Sequence, residues 1–322
     1  MRRYLLFPVV LLGSGVAVAG GWSGNFQTGG MYTNNLAVQS ATGIAPAERT
    51  NLSRTGIETG IDLRQQSLDH TGGYVLEGLA SLNQGLAEGK DITRVRGAAY
   101  RLAALDSRWL VRSGVAAEHY QNGDLPTDSY RGLGAESTLG YVGEAGAGTD
   151  IGFSIKREDH WQAADTPYKV DKQTLKLVHY FPHQPKQAYW SVEGAYQQAQ
   201  ADDDSRDAIS TVLGIQYNQW AMGAWGGQVG LQWRQDDYDG QVSPNENPAG
   251  GMTPPSEMQP PSRQDGTYLI AASVSKQLKK GLHLRLSSSA GQYTSTLGAV
   301  GQRREGTSER FHGISATLDW AF

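Results

Sequence analysis

The stretch Ile314-Ser315-Ala316-Thr317-Leu318-Asp319-Trp320-Ala321-Phe322 sets Ile314, Ala316, Leu318, Trp320 and Phe322 at even positions, with Ser315, Thr317 and Asp319 between them. Successive side chains of an extended strand point to opposite faces, so this period of two predicts a strand with one apolar and one polar face. The same alternation occupies Gly281 to Tyr293, where Leu282, Leu284, Leu286 and Ala290 oppose His283, Arg285, Ser287 and Ser289. Neither stretch has helical spacing.

Working back along the chain, Trp225, Val229, Leu231 and Trp233 alternate with Gln228, Gln232 and Arg234. Ile209, Thr211, Leu213, Ile215 and Tyr217 alternate with Ser210, Gly214, Gln216 and Asn218. Trp190, Val192 and Tyr196 oppose Ser191, Glu193 and Gln197, and Ile57, Ile61 and Leu63 oppose Glu58, Asp62 and Arg64. Fourteen such segments can be counted, most of them about 9 to 14 residues long, which is the length a tilted strand needs to cross an outer membrane. Two stretches, Gln65 to Thr71 and Arg94 to Leu105, are ambiguous in phase. The predicted class is therefore all-β, an up-and-down antiparallel barrel spanning a membrane; a large soluble β-sandwich is the alternative.

Aromatic spacing separates the two. Trp225 and Trp233 lie eight residues apart, a distance of roughly 20 Å along the membrane normal for a tilted strand. Trp22 with Tyr32, Trp190 with Tyr196, and Tyr130 with Tyr141 are read as similar pairs at the two membrane interfaces, where amphipathic rings settle. Trp22, Trp190, Trp225, Trp233 and Trp320 are the expected interface anchors.

The connections also alternate. Asn34 to Ser53, Gln84 to Asp91, Gln121 to Thr127, Asp159 to Tyr168, Ala199 to Arg206, Asp236 to Asp265 and Thr294 to Ser308 are the longer ones. Leu105 to Arg108, Pro182 to Lys186, Ala221 to Ala224 and Lys279 to Gly281 are shorter, as periplasmic turns are. Asp236 to Asp265 carries Pro244, Pro248, Pro254, Pro255, Pro260 and Pro261, so it is read as a lid, a recognition loop or an external tether.

The first residues read as a leader: Arg2 and Arg3, an apolar run from Tyr4 to Leu12, and small Ala17, Val18 and Ala19 before Gly20. Residues 1–19 are thus expected to be a signal peptide and 20–322 the barrel. The composition has 39% hydrophobic residues, 41 glycines and no cysteine. Zero cysteine excludes disulfides, thiol catalysis and cysteine metal sites. Of 28 Lys and Arg, two lie in the leader, leaving fewer basic than the 32 acidic residues, which disfavours a large nucleic-acid footprint. No stretch of the mature chain approaches the apolar length of a membrane helix.

If the apolar faces meet lipid, the lumen receives Glu58, Asp62, Glu77, Glu118, Glu136, Glu193 and Asp319 together with Arg64, Arg94, Arg96, Arg112, Lys156, Lys176, Arg234 and Arg285. Opposed rows of acid and base would create a transverse field and a constriction; mutual pairing that plugs the barrel is the alternative. Glu58, Glu77, Arg94, Arg96, Arg112, Glu118, Glu136, Glu193, Arg234 and Arg285 are the expected selectivity lining. Acidic Asp202, Asp203, Asp204, Asp236, Asp237 and Asp239 fall in or beside loops. Enzymatic constellations are thin: His312 and Ser315 have opposite parity, and Asp159 with His160 beside Asp202 to Asp204 is the other candidate. No metal-ligand spacing and no cofactor motif is found.

The terminal run Ser315 to Phe322 resembles the signal read by the outer-membrane barrel assembly machinery, with aromatic Trp320 and Phe322 in place and Thr317 where the pattern often carries glycine. The mature chain as a whole resembles mid-sized Gram-negative outer-membrane porins and channels. That resemblance implies outer-membrane localisation with periplasmic termini. The implied partners are membrane lipid, lipopolysaccharide and the assembly machinery. The expected function is a channel for small polar or charged solutes, sugars among them. The alternatives are an export pore for a polysaccharide or surface protein with periplasmic partners, and a barrel-embedded hydrolase.

Overall fold

The computed structural model describes residues 18–33, 54–69, 71–85, 91–123, 129–143, 146–161, 167–184, 188–202, 207–222, 224–238, 263–295 and 307–321. The expected leader through Ala17, most of the proline-rich connection and Phe322 lie outside them.

Alternating residues without a helical period form fourteen strands: β1 (Val18–Thr33), β2 (Arg54–Asp69), β3 (Gly72–Gly85), β4 (Asp91–Ala104), β5 (Trp109–Asn122), β6 (Tyr130–Val142), β7 (Gly148–His160), β8 (Tyr168–Gln184), β9 (Ala188–Ala201), β10 (Ala208–Met222), β11 (Trp225–Tyr238), β12 (Arg263–Lys279), β13 (Leu282–Ser295) and β14 (Thr307–Ala321). Each pairs antiparallel with its sequence neighbours, and β1 pairs with β14 from Asn25↔Ala321 to Thr33↔Gly313, closing the ring. Closure leaves no open edge, which lipid demands because it cannot hydrogen-bond a bare N–H or C=O.

The two ambiguous stretches resolve within strands. β2 runs on to Asp69 and its pairing with β3 continues to Asp69↔Gly72. β4 places Arg94, Arg96 and Tyr100 on the inner face and Val95 outward. The strand ends separated by the shorter connections, 69/72, 104/109, 142/148, 184/188, 222/225 and 279/282, meet at one rim, and those separated by the generally longer ones at the other. In the two-residue turn Lys280-Gly281, Gly281 has φ 78°, a left-handed conformation that favours a residue without Cβ.

The barrel is apolar on the outside. Leu133, Leu213, Leu231, Phe153, Ile155 and Ile314 are among the large hydrophobics that the strands leave exposed, and all of them point away from the lumen. In water such a continuous surface would exceed by far the few hundred Å² that monomeric soluble proteins tolerate. It is the lipid-facing band of a membrane barrel, and the sandwich alternative is excluded. A hollow of about 620 Å³ lies against β1 and β12 to β14, lined by Val274, Leu286 and Ile314 and by Ser273, Ser287 and Ser315.

Aromatic rings collar the short-turn rim. Trp22, Trp190, Trp225 and Trp320 are outward and exposed there. Trp109 packs on Tyr141 at 4.7 Å between ring centres, and Trp190 on Tyr217 at 4.8 Å. Trp233 lies further up β11, on the outer face opposite Tyr268 of β12. One expected interface residue is corrected: Tyr130 does not pair with Tyr141 on the outer wall. Its position is even along β6 while Tyr141 is odd, so the pleat turns Tyr130 into the lumen, where the Lys156 ammonium stands 4.3 Å from its ring centre.

The outer and inner faces differ in what they tolerate. Leu286→Arg is expected to destabilise the folded barrel by about 2 to 4 kcal/mol, since it drives a guanidinium into lipid near mid-membrane. Ser287→Arg, one residue on but facing the lumen, is expected to cost far less. Urea titration of both variants in lipid vesicles measures the difference; equal losses would refute this assignment of faces.

Candidate functional site

Every charged residue expected in the lumen sits on the inner face of its strand, because the alternation that places apolar residues in lipid leaves the other parity for water. Glu58, Asp62 and Arg64 project from β2, Glu77 from β3, Arg94 and Arg96 from β4, and Arg112 and Glu118 from β5. Glu136 projects from β6, Lys176 from β8, Glu193 from β9, Arg234 from β11, Arg285 from β13 and Asp319 from β14.

These groups pair with neighbours rather than standing in opposed rows. Arg112 Nη2 lies 3.2 Å from Glu77 Oε2, and its guanidinium carbon 3.6 Å from the centre of the Tyr100 ring. The Tyr100 hydroxyl donates to Glu136, which Arg96 also approaches at 3.4 Å. Arg94 pairs with Glu118, and Lys156 Nζ bridges Glu118 and Glu158 at 2.9 Å each. Glu158 also receives Lys172 Nζ at 2.7 Å and His160 Nε2 at 3.2 Å. Lys176 meets Glu193 at 2.9 Å. The result is a lattice of acid, base and tyrosine across the inner face of β3 to β9.

The expected transverse field is therefore corrected. Acid and base alternate within one wall at contact distance, so their fields cancel over a few ångströms instead of adding across the bore. At about 3 Å and an effective dielectric near 20, each such attraction is on the order of 5 kcal/mol before desolvation. That is enough to keep the partners together in the wall.

The wall of β10 to β14 and β1 is different in kind, with β2 and its Glu58, Asp62 and Arg64 between it and β3. Among the described side chains its charges stand at two levels: Arg234 on Asp236 at 2.8 Å and buried Asp265 on Ser295 toward the long-connection rim, and Arg285 on Asp319 at 2.9 Å toward the short turns. Between those levels the inner faces carry Ser, Thr, Gln, Asn, Gly, Ala, Val, Met and Leu, and no charge. Toward the long-connection rim Tyr293 and Phe311 pack with Leu269.

Several lumen residues escaped the sequence reading. Tyr100, Asp150, Glu158, His160, Lys172 and Asp236 all face inward. Extending the alternation by two or four residues from Arg96, Lys156, Lys176 and Arg234 would have found all of them but Asp150. The proposed edge of the Asp159 to Tyr168 connection hid His160, which is the last residue of β7.

Neither enzymatic constellation assembles. His312 is exposed outside, 5.7 Å from Tyr32 between ring centres, while Ser315 faces inward. Asp159 points outward and His160 inward, where it stacks on Tyr168 at 4.4 Å; Asp203 and Asp204 lie outside the described residues. Among the described residues no group of three His, Asp or Glu is arranged to hold a metal ion.

No protein-family model and no curated protein matches the chain. Among solved structures it is similar to OmpT, an outer-membrane protein of Vibrio cholerae, at 9% identity over 94% of this chain and 99% of that one, with a TM-score of 0.49. It is similar to an anion-selective porin from Comamonas acidovorans at 14% identity, over 94% and 99%, with a TM-score of 0.44. A mutant of the TodX monoaromatic hydrocarbon channel aligns at 11% identity over 98% and 94%, with a TM-score of 0.47. These are outer-membrane and channel barrels, and the likeness is one of architecture; their solutes say nothing about this chain.

Glu158 is the hub of the charged wall, with its side chain 4% exposed. Glu158→Gln is expected to lower stability by about 3 kcal/mol, because it leaves Lys156 and Lys172 without their shared charge. Arg157→Ala, which removes the outer-wall pair with Asp171 close to the long-connection rim, where water and headgroups screen it, is expected to leave the unfolding midpoint unchanged. Matching urea midpoints for Glu158→Gln and the unsubstituted protein would show that the cluster is not structurally coupled.

Proposed function

We propose that the protein is a passive channel of a Gram-negative outer membrane, admitting small polar or charged solutes, sugars among them. The bore carries this reading. Fourteen strands at ordinary spacing and tilt enclose a backbone cylinder about 28 Å across. Eight strands already suffice for side chains to fill a barrel, and sixteen to eighteen leave an aqueous channel. A fourteen-strand bore has about three times the cross-section of the eight-strand one that side chains fill, which gives room for a passage beside the paired charges of one wall. Its lining is polar, as a water-filled passage requires.

In this reading the termini and short turns face the periplasm. The aromatic collar then marks the inner-leaflet interface, and the outer wall is bathed by phospholipid on one side and lipopolysaccharide on the other. Trp320 with Phe322 serves as the handle for barrel assembly. Glu58, Glu77, Arg94, Arg96, Arg112, Glu118, Glu136, Glu193, Arg234 and Arg285 line the passage and tune it.

Single-channel recording of the refolded mature protein in a planar bilayer tests the proposal. Steady conductance with weak ion preference is expected, together with sugar entry in a liposome-swelling assay. Arg112→Ala should shift the reversal potential toward cations by about twofold in permeability ratio, because it removes a lumen cation beside Glu77. Folded protein with neither conductance nor solute entry would refute the channel reading.

A further inference from the structure

Between its two charged levels, the wall of β10 to β14 and β1 has a regular internal layout. Ser273 of β12 pairs with Ser287 of β13, which pairs with Ser315 of β14, so three hydroxyls stand side by side at one register. The next row toward the long-connection rim is Ala271, Ser289 and Gly313. No inward side chain of these two rows has more than one heavy atom beyond Cβ. Half-way round the closed ring from β13 stands β6. There Glu136, with Tyr100 and Arg96 from β4 and Arg112 from β5, reaches in from the backbone and is held by the contacts described above.

Two independent facts follow. At the level of these two rows bulk is unequally shared between the two walls, the larger Tyr293, Phe311 and Leu269 lying nearer the long-connection rim, which would displace an opening at this level from the barrel axis toward β12 to β14. Charge is also unequally shared, and the charges opposite are consumed by their own partners. A solute moving along the serine side meets groups that both donate and accept hydrogen bonds, with no net field to repel or retain an ion.

The geometry points to an eccentric solute path along β12 to β14, lined by Ser273, Ser287 and Ser315 and selective for uncharged hydroxylated solutes over charged ones of the same size. The ion-paired wall sets the width of that path from the far side. A hydroxylated solute loses hydrogen bonds to water on entering a narrow passage, and the serine row replaces them. An ion loses hydration that paired charges and single hydroxyls do not replace. The inference rests on the channel reading above and adds to it where the solute travels and which class it is.

The absence of native cysteine permits a test by near-isosteric replacement. Ser287→Cys and Ser315→Cys are made between the two charged levels of the β10 to β14 and β1 wall, and Ser154→Cys on the inner face of β7 within the charged wall. Each refolded variant is treated with a bulky neutral thiol-reactive methanethiosulfonate, and labelling rate by mass and single-channel conductance are read separately. Labelling at position 287 or 315 is expected to lower conductance by at least about twofold, and labelling at 154 to change it little. In liposome swelling, a neutral pentose should enter faster than the sugar acid of equal carbon number.

Equal or greater block from position 154, or equal or faster entry of the acid, overturns the inference while leaving a channel in place. Absence of conductance and solute entry in the untreated protein overturns the channel reading instead. The labelling rates then decide the path by themselves: faster reaction at 287 and 315 than at 154 supports the displaced opening, and equal or slower reaction refutes it.

Discussion

The pairing of β1 with β14 is the interaction on which the rest of the molecule depends. From Asn25↔Ala321 to Thr33↔Gly313 it returns the last strand to the first, and without it two strands would offer unpaired N–H and C=O groups to lipid. Each such group costs several kcal/mol in a medium without water. Hairpins between consecutive strands form from local contacts. The closing pair joins chain ends almost three hundred residues apart, so the barrel is completed only when all the hairpins are aligned.

Closure forces the division between the faces. A closed sheet in a membrane has one surface in hydrocarbon and one around the bore, and the pleat sends alternate residues to each. Leu286 lies in lipid and Arg285 in the lumen because they are neighbours in sequence. The same rule explains why a protein with a polar composition crosses a membrane, and why His312 and Ser315, or Asp159 and His160, cannot combine in one site despite their closeness along the chain.

Within the bore, chemistry is arranged by wall. On β3 to β9 carboxylates, ammonium and guanidinium groups interlock with tyrosines, so charges that would otherwise attract water and ions are committed to each other. On β10 to β14 and β1 the inner faces are uncharged between two charged levels, mostly small or amidic with Val212, Leu269 and Met31 among them. The first wall is tied together by these contacts, and the second carries fewer of them among the described residues. In the proposed channel, such an arrangement would discriminate by width and hydrogen bonding more than by long-range field.

The sequence by itself determined the strand count, the alternation of short and long connections, and the face of most strand residues, because a period of two depends only on the local pleat. Thus Glu118, Arg112 and Arg285 were legible as lumen residues before any pairing was known. Parity alone also contained Glu158 and Lys172, although the uncertain strand ends obscured His160 and misassigned Tyr130. Only the tertiary structure decided which charge meets which, because an ion pair between adjacent strands depends on register. Lys156 touches both Glu118 and Glu158, and Ser273, Ser287 and Ser315 stand in one row, since the closed ladder aligns residues far apart in sequence. Face is a property of one strand, while register and position around the ring belong to the whole barrel.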